Sequence, residues 1–310
     1  MSPGAEPRVV VFGPHPLLSV TVERCGDADD VHFHAAGQGV WVARAVAELG
    51  AHPVLCGFAG AEPGVPLTAL LDRMAGERRL VRTAQPSGTY VIDRRSDERR
   101  LVAQSLSGPP TRHELDELFS ITTAAALNAR VLAVCNPYPG EALPLRVYGD
   151  LVADVRANGT PVIVDLSSPR LDSALTGGPD LAKLNDWELA GYIRGPVDTP
   201  ARLRGAAQRM LDAGARAVLV TRGERSAWAF RGDEAWEITP PRFDRGHREG
   251  CGDTMFGAIA AAWARDEPWE DLLRFGAAAG AAAFLRHGLG SVTREAVAEL
   301  VDPVRIERVA

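Results

Sequence analysis

The segment at 248–257, R-E-G-C-G-D-T-M-F-G, sets an acid, Asp253, beside two glycines, Gly250 and Gly252, that bracket Cys251 at the head of an alanine-rich helical stretch. Glycine-rich backbone at a helix N-terminus aims free N–H groups at one spot, and the helix dipole favours an anion there. An acid beside such a cradle repels a phosphate if binding is its only task. It is well placed to take a proton from a hydroxyl that attacks a phosphoryl group held in the cradle. The plainer reading is an aspartate that caps the helix. Taken alone, the motif leaves the two readings level.

Composition narrows the chemistry. Among 34 basic residues the only lysine is Lys183, which stands between Ala182 and Leu184, so no G-x-x-x-x-G-K-[ST] loop exists. The V-A-I-K and H-R-D signatures of protein kinases are missing. A formal charge of −6 argues against a nucleic-acid or anionic-membrane partner. No apolar run reaches the roughly 18–20 residues of a membrane span. The candidate at 275–285 is mostly alanine between Arg274 and Arg286. The opening M-S-P-G-A-E-P-R has no apolar h-region, so no secretory leader is expected. Cys25, Cys56, Cys135 and Cys251 lie far apart and read as reduced thiols of a cytoplasmic protein.

The elements that must position the site follow from periodicity. Apolar runs at 8–12, 53–57, 131–135, 161–166, 181–184 and 217–221 have the length of buried parallel strands. Helical patterns near 40–49, 65–75, 141–158 and 198–213 alternate with them, which argues an α/β, doubly wound, mainly parallel sheet flanked by helices. A hairpin at 226–230 and 235–239 precedes helices near 253–264, 269–286 and 292–301. Two stretches do not fit the sheet. Residues 19–23 with 31–35, and 88–93 with 99–104, alternate as strands with one wet face. They read as a small β lid, built from about 14–36 and 86–106 within a single domain spanning 1–310. Two ordinary surface hairpins are the alternative.

Three segments together carry a resemblance. G-C-G-D at 250–253 is similar to the G-A-G-D signature of the ribokinase-like (PfkB) carbohydrate kinases. H-A-A-G-Q-G-V-W-V-A-R-A-V-A-E-L-G at 34–50 resembles the G-G-K-G-x-N-V-A-R…L-G entry of the 1-phosphofructokinase and tagatose-6-phosphate kinase branch. K-L-N-D-W-E at 183–188 resembles K-P-N-x-x-E. The three fall in the family's order, and the likeness spans roughly residues 8–301. It implies a parallel sheet between helices with a β lid over a sugar site. It also implies an ATP- and Mg²⁺-dependent phosphotransferase acting on an alcohol of a sugar or sugar-like molecule.

The roles implied are specific. Asp253 stands for the catalytic base, and Gly250, Cys251 and Gly252 for the anion hole; Cys251 takes the place of alanine, either as a small packing residue or as an acidified thiol. Asn185 and Glu188 match the pair that supports Mg²⁺, which keeps much of its water shell. Their spacing also fits a helix capping box. Lys183 either supports phosphates or packs its stem on the sheet. Thr221 and Gly223, in T-R-G-E at 221–224, match the nucleotide loop or form an ordinary turn. Arg248 is a candidate phosphate clamp.

Departures cluster on the sugar side. H-P-L-L-S at 15–19 puts Ser19 where the family has aspartate, and Gln38, between Gly37 and Gly39, replaces a lysine. Trp41 replaces asparagine, as a pocket wall or as padding at the core edge. Gly88 and Tyr90 take the places of an arginine and an asparagine in the lid, and C-N-P-Y-P-G at 135–140 brings Asn136 in place of G-S-L-P-P-G. Missing cations at Gln38 and Gly88 favour a neutral acceptor over a sugar phosphate, unless Arg94, Arg95, Arg99 and Arg100 restore the charge. The alternatives are a hexose-phosphate kinase and a catalytically silent nucleotide-binding regulator. His32 and His34 share a strand face and read as lid packing rather than a metal site. The expected partner is a small molecule, with a homodimer through the lid left open.

Overall fold

Strands covered on both faces form from near-continuous apolar runs. In Arg8–Phe12 (β1), Val9 and Val11 face one core while Val10 and Phe12 face the other, and all four are fully buried. The computed structural model describes residues 6–96, 99–137, 143–286 and 291–309. After β1 the chain forms a hairpin, Leu17–Cys25 (β2) and Ala28–Ala36 (β3), then helix Gln38–Glu48 (α1), strand His52–Gly60 (β4), helix Ala61–Leu71 (α2) and strand Glu77–Thr83 (β5). A second excursion, Thr89–Arg94 (β6) and Arg100–Ser105 (β7), leads to helix Arg112–Ala126 (α3). The βα alternation resumes with Val131–Cys135 (β8), Arg146–Ala157 (α4), Val162–Asp165 (β9), Arg170–Thr176 (α5), Leu181–Asn185 (β10), Asp186–Ile193 (α6), Pro200–Asp212 (α7) and Val218–Arg222 (β11). Hairpin Arg225–Arg231 (β12) and Glu234–Thr239 (β13) follows, then helices Cys251–Ala264 (α8), Trp269–Phe284 (α9) and Arg294–Val301 (α10), and strand Arg305–Val309 (β14).

Among the described residues the strands form two sheets. The large one runs β14-β13-β12-β11-β10-β9-β8-β1-β4-β5, parallel from β11 to β5 and antiparallel at the β12–β14 end. Helices α1, α2, α8, α9 and α10 pack on one face, and α3 to α7 on the other. The small sheet runs β3-β2-β6-β7, so the two alternating excursions pair with each other through β2 and β6. Its buried cluster is Leu17, Ala36, Tyr90 and Ile92, with Trp41 of α1 packed against it. No helix among the described residues is long and apolar enough to cross a membrane.

The fold adds elements that periodicity did not show. Edge strands β5 (E-R-R-L-V-R-T) and β14 (R-I-E-R-V) are charged enough to read as loops, and an edge tolerates that because only one side is paired. Helix α3 opens with a Thr111/Glu114 capping box, the T-x-x-E pattern of its sequence. The helix expected at 65–75 lies at 61–71, because Pro63 sits in the first turn where no N–H is required. The helix expected from 141 runs from Arg146, and residues 138–142 lie outside the described residues.

Candidate active site

The parallel strands end level with one another. Cys135 pairs with Asp165, Asp165 with Lys183, and Asn185 with Thr221, so the carboxyl ends of β8 to β11 bring chemistry-bearing residues into one row. Open α/β sheets bind their ligands along this edge. Helices α1 and α8 lie against each other on one face of the sheet. A Cβ on Gly257 would stand 2.7 Å from the Ala45 Cβ and 2.8 Å from the Val42 carbonyl oxygen, so glycine is what lets the two backbones approach. That contact puts Gln38, the first residue of α1, beside Asp253 in the first turn of α8.

Asp253 does not cap its helix. The cap is Gly250, in the left-handed region at φ 78°, and it has no capping side chain. The carboxyl of Asp253 is therefore unspent on the helix, and the Gln38 side chain beside it favours its ionised form. Burial, reinforced by repulsion from Asp165 and Glu188, pushes Asp253 up to about 7 against the pull of Lys183 and Gln38. A carboxyl tuned to that range suits a general base at neutral pH. Cys251 donates to the His247 carbonyl oxygen at 3.1 Å, and its thiol is pushed up to about 11 by burial and Asp253. It is a packing residue rather than an acidified thiol.

Lys183 donates to Asp165 Oδ2 at 2.6 Å, and both side chains are buried. Burial alone would lower the lysine pKa; Asp165, with Asp253 and Glu188 nearby, outweighs it and leaves the amine above its ordinary value. A Cβ on Gly252 would stand 3.4 Å from Nζ, so a permanent positive charge lies directly against the N–H cradle. Sequence reasoning missed Asp165. Its signal was an acid closing the otherwise apolar strand V-I-V-D.

Asn185 and Glu188 form a complete capping box. Asn185 Oδ1 accepts from the Glu188 N–H at 2.9 Å, and Glu188 Oε2 accepts from the Asn185 N–H at 2.9 Å. Glu188 is raised by burial and by Asp165, with the Asn185 N–H and Lys183 pulling the other way. Among the described residues no three His, Cys, Asp or Glu side chains converge closely enough to ligate one metal directly. Thr221 lies near the end of β11, its hydroxyl 3.5 Å from the Leu184 carbonyl oxygen, and nothing within 4 Å fills the space a Cβ on Gly223 would take. Arg248 ion-pairs with Glu224, which ties the 221–224 turn to the loop that carries the cradle. Arg99, from the small sheet, pairs with Glu249 at 2.9 Å and lies over the Tyr90 ring.

At the end of β8, Gln38 Oε1 accepts from the Asn136 N–H at 2.5 Å, so this side chain links that strand end to Asp253. Asn136 Nδ2 donates to Ser167 at 2.9 Å, while its buried Oδ1 has no partner among the described residues. Gly37 caps α1 at φ 102°, and a Cβ on Gly39 would strike Gly13. Ser19 is buried in β2, in register with Tyr90 of β6. Trp41 packs against the Tyr90 cluster, not the main core, so it stands between α1 and the small sheet. His32 and His34 stack on each other with ring centroids 6.0 Å apart, and His32 lies 3.2 Å from Asp30. His15, pushed down to about 4 by burial and Arg170, is uncharged at neutral pH.

A parallel sheet with a tuned carboxyl, an N–H cradle and a buried lysine at its carboxyl edge defines a phosphotransferase of the ribokinase-like kind. The profile described as "pfkB family carbohydrate kinase" matches residues 17–296, and the chain belongs to that family. It is 30% identical over 266 residues to the ATP-dependent 6-phosphofructokinase isozyme 2 of Escherichia coli (strain K12), covering 83% of each chain. The 1-phosphofructokinase of Vibrio cholerae is 24% identical over 277 residues, covering 88% of this chain and 86% of that protein. In fold it is similar to phosphofructokinase-2 from Escherichia coli in complex with potassium, with TM-score 0.84 and 24% identity over 96% of this chain and 99% of the other. It is also similar to Arabidopsis thaliana ribokinase complexed with ribose and ATP, with TM-score 0.75 and 22% identity over 96% and 99%. The protein is a carbohydrate kinase.

Proposed function

We propose an ATP- and Mg²⁺-dependent kinase that phosphorylates a hydroxyl of a neutral sugar or sugar-like alcohol. One juxtaposition supports it above all: the Asp253 carboxyl, tuned to about 7, beside an N–H cradle with the Lys183 amine against it. ATP, when bound, supplies the phosphoryl group and Mg²⁺ offsets its charge. Gly252 leaves the cradle open to a phosphate, which fits. Asn185 and Glu188, with no direct ligand cluster around them, fit an ion held through its water shell. Asp253 takes the proton from the acceptor hydroxyl, and Gln38 keeps that carboxylate aimed. Backbone N–H groups of 250–252 receive the charge that develops on the phosphoryl oxygens. Thr221 and Gly223 border the nucleotide, with Arg248 drawn alongside through Glu224.

The neutral acceptor is supported by charge pairing. Arg94 pairs with Glu23, Arg95 with Asp93 and Asp29, Arg100 with Asp93, and Arg99 with Glu249, so each of the four lid arginines already faces a carboxylate. His15 adds no charge. A hexose-phosphate acceptor is the second reading, favoured by the names of the relatives. Steady-state kcat/KM on fructose against fructose 6-phosphate, and tagatose against tagatose 6-phosphate, separates the two. Higher values for the unphosphorylated member are expected; the reverse overturns the acceptor class. Absence of ATP turnover across sugars, sugar phosphates and nucleosides overturns the kinase reading itself.

The small sheet serves as a lid and as a dimer surface in this reading. Val20 pairs with Phe33 and Val91, and Val22 with Val31, giving one apolar face on which Val31 and Phe33 are about half exposed. A second copy of the same face would cover it. Sedimentation should show a dimer that Val31→Arg converts to monomer. Cytoplasmic residence belongs to the same reading, supported by four free cysteines.

A further inference from the structure

A groove of about 580 Å³ opens away from the carboxyl edge, between the root of β3, the second half of α1, the turn after α2 and residues 291–292. None of the catalytic or nucleotide-side residues lines it. Its volume falls in the range of small-molecule sites, roughly 300–1,000 Å³. Phe33, Leu70 and Met74 give it apolar walls, and Arg44 and Arg73 place two guanidinium groups on its lining.

Arg44 is the informative residue. It is half-buried on α1, and among the described residues no carboxylate pairs with it; Glu48 lines the same groove without doing so. Burial lowers its pKa with no neighbouring acid to offset the loss of water. A desolvated, uncompensated guanidinium is costly unless an anion meets it, and its planar fork suits phosphate oxygens. The neighbouring His34 records the same field: burial first, then Arg44, depress its pKa. Arg73, exposed on the turn after α2, is likewise unpaired among the described residues.

We infer that this groove is a second ligand site, distinct from the active site, for a small organic phosphate with a flat apolar body, its phosphate held by Arg44 and Arg73 and its body against Leu70 and Met74. The site does not depend on the acceptor proposed above. It joins the lid strand β3 to the helix whose first residue touches Asp253.

The test is calorimetric titration of the full-length protein with three probes: phenyl phosphate, inorganic phosphate and phenol. Phenyl phosphate should bind one site per chain with a Kd of about 1 mM or tighter, ahead of either half-probe, and unchanged by saturating Mg²⁺ and a non-hydrolysable ATP analogue. Arg44→Gln should weaken it about ten-fold or more. Should that variant fail to fold, Arg73→Gln, at an exposed position, should weaken it in the same direction. Binding that competes with the nucleotide, or that both arginine variants leave intact, overturns the site. So does no binding by phenyl phosphate at all. Binding confined to the monomeric Val31→Arg background would mean that a second copy occupies the groove, which overturns it too.

Discussion

Asp165, Lys183, Glu188 and Asp253 stand at strand ends and helix starts, buried or half-buried, and each shifts or is shifted by the others. The small sheet handles charge in the opposite way. Asp93, Arg95 and Arg100 pair on its exposed face, and its interior amounts to Leu17, Ala36, Tyr90 and Ile92. Charges a few ångströms apart interact several-fold more strongly where water is excluded, while exposed pairs contribute about 0–1 kcal/mol. The carboxyl edge is thus the region where one substitution moves a pKa or a rate. In the small sheet one substitution of a paired charge is expected to move little.

The sharpest break in that contrast is Asp253→Asn. Turnover should fall on the order of 10²–10⁴-fold while nucleotide binding persists. Wild-type kcat/KM should climb with pH through about 7 as Asp253 ionises, and the variant should lack that limb. Stability carries the opposite sign. A carboxyl raised in the fold favours the protonated state, so its contribution is full below the ordinary aspartate range and declines as pH rises to about 7. Asp253→Asn should flatten that decline in denaturant titrations run across pH 4–8.

Lys183→Met strands the buried Asp165 carboxylate and should lower stability by about 3–5 kcal/mol, with Asp165→Asn in the same chain recovering much of it. A loss within 1 kcal/mol would mean that the pair is as solvated as those of the lid. Gln38→Leu removes the polar side chain that favours the ionised Asp253, so turnover at neutral pH should fall. The acid limb of its pH profile should move upward, because the lost amide favoured the ionised form; an unmoved limb would reduce Gln38 to packing. Arg99→Ala is the mildest. Stability should change by less than about 1 kcal/mol, and the acceptor KM should rise while kcat holds. Added salt should erase that rise.

Most of the large sheet was legible because a strand buried on both faces must be apolar throughout, as in β1, β8 and β9. The edge strands β5 and β14 were not, since one exposed side frees their composition. At the site, the cradle at 250–252 and its acid declared themselves through glycine spacing. The capping box at Asn185 and Glu188 was visible too, as one of two readings that the same spacing allows.

By itself, the sequence determined the alternation of elements, the position of the cradle, the acid beside it and the presence of a single lysine. Local periodicity and backbone chemistry suffice for that, because both act between near neighbours in the chain. Tertiary structure decided the partnerships. Gln38 meets Asp253 only because Gly257 lets α8 close on α1, and Lys183 meets Asp165 only because β10 lies beside β9. Gln38, which reads in the sequence as a lost sugar contact, lies in the fold between Asn136 and Asp253. The arginines of the small sheet and its loop follow the same rule: four cations in the sequence are four occupied cations in the fold, since pairing depends on which carboxylates strand register and loop position bring across.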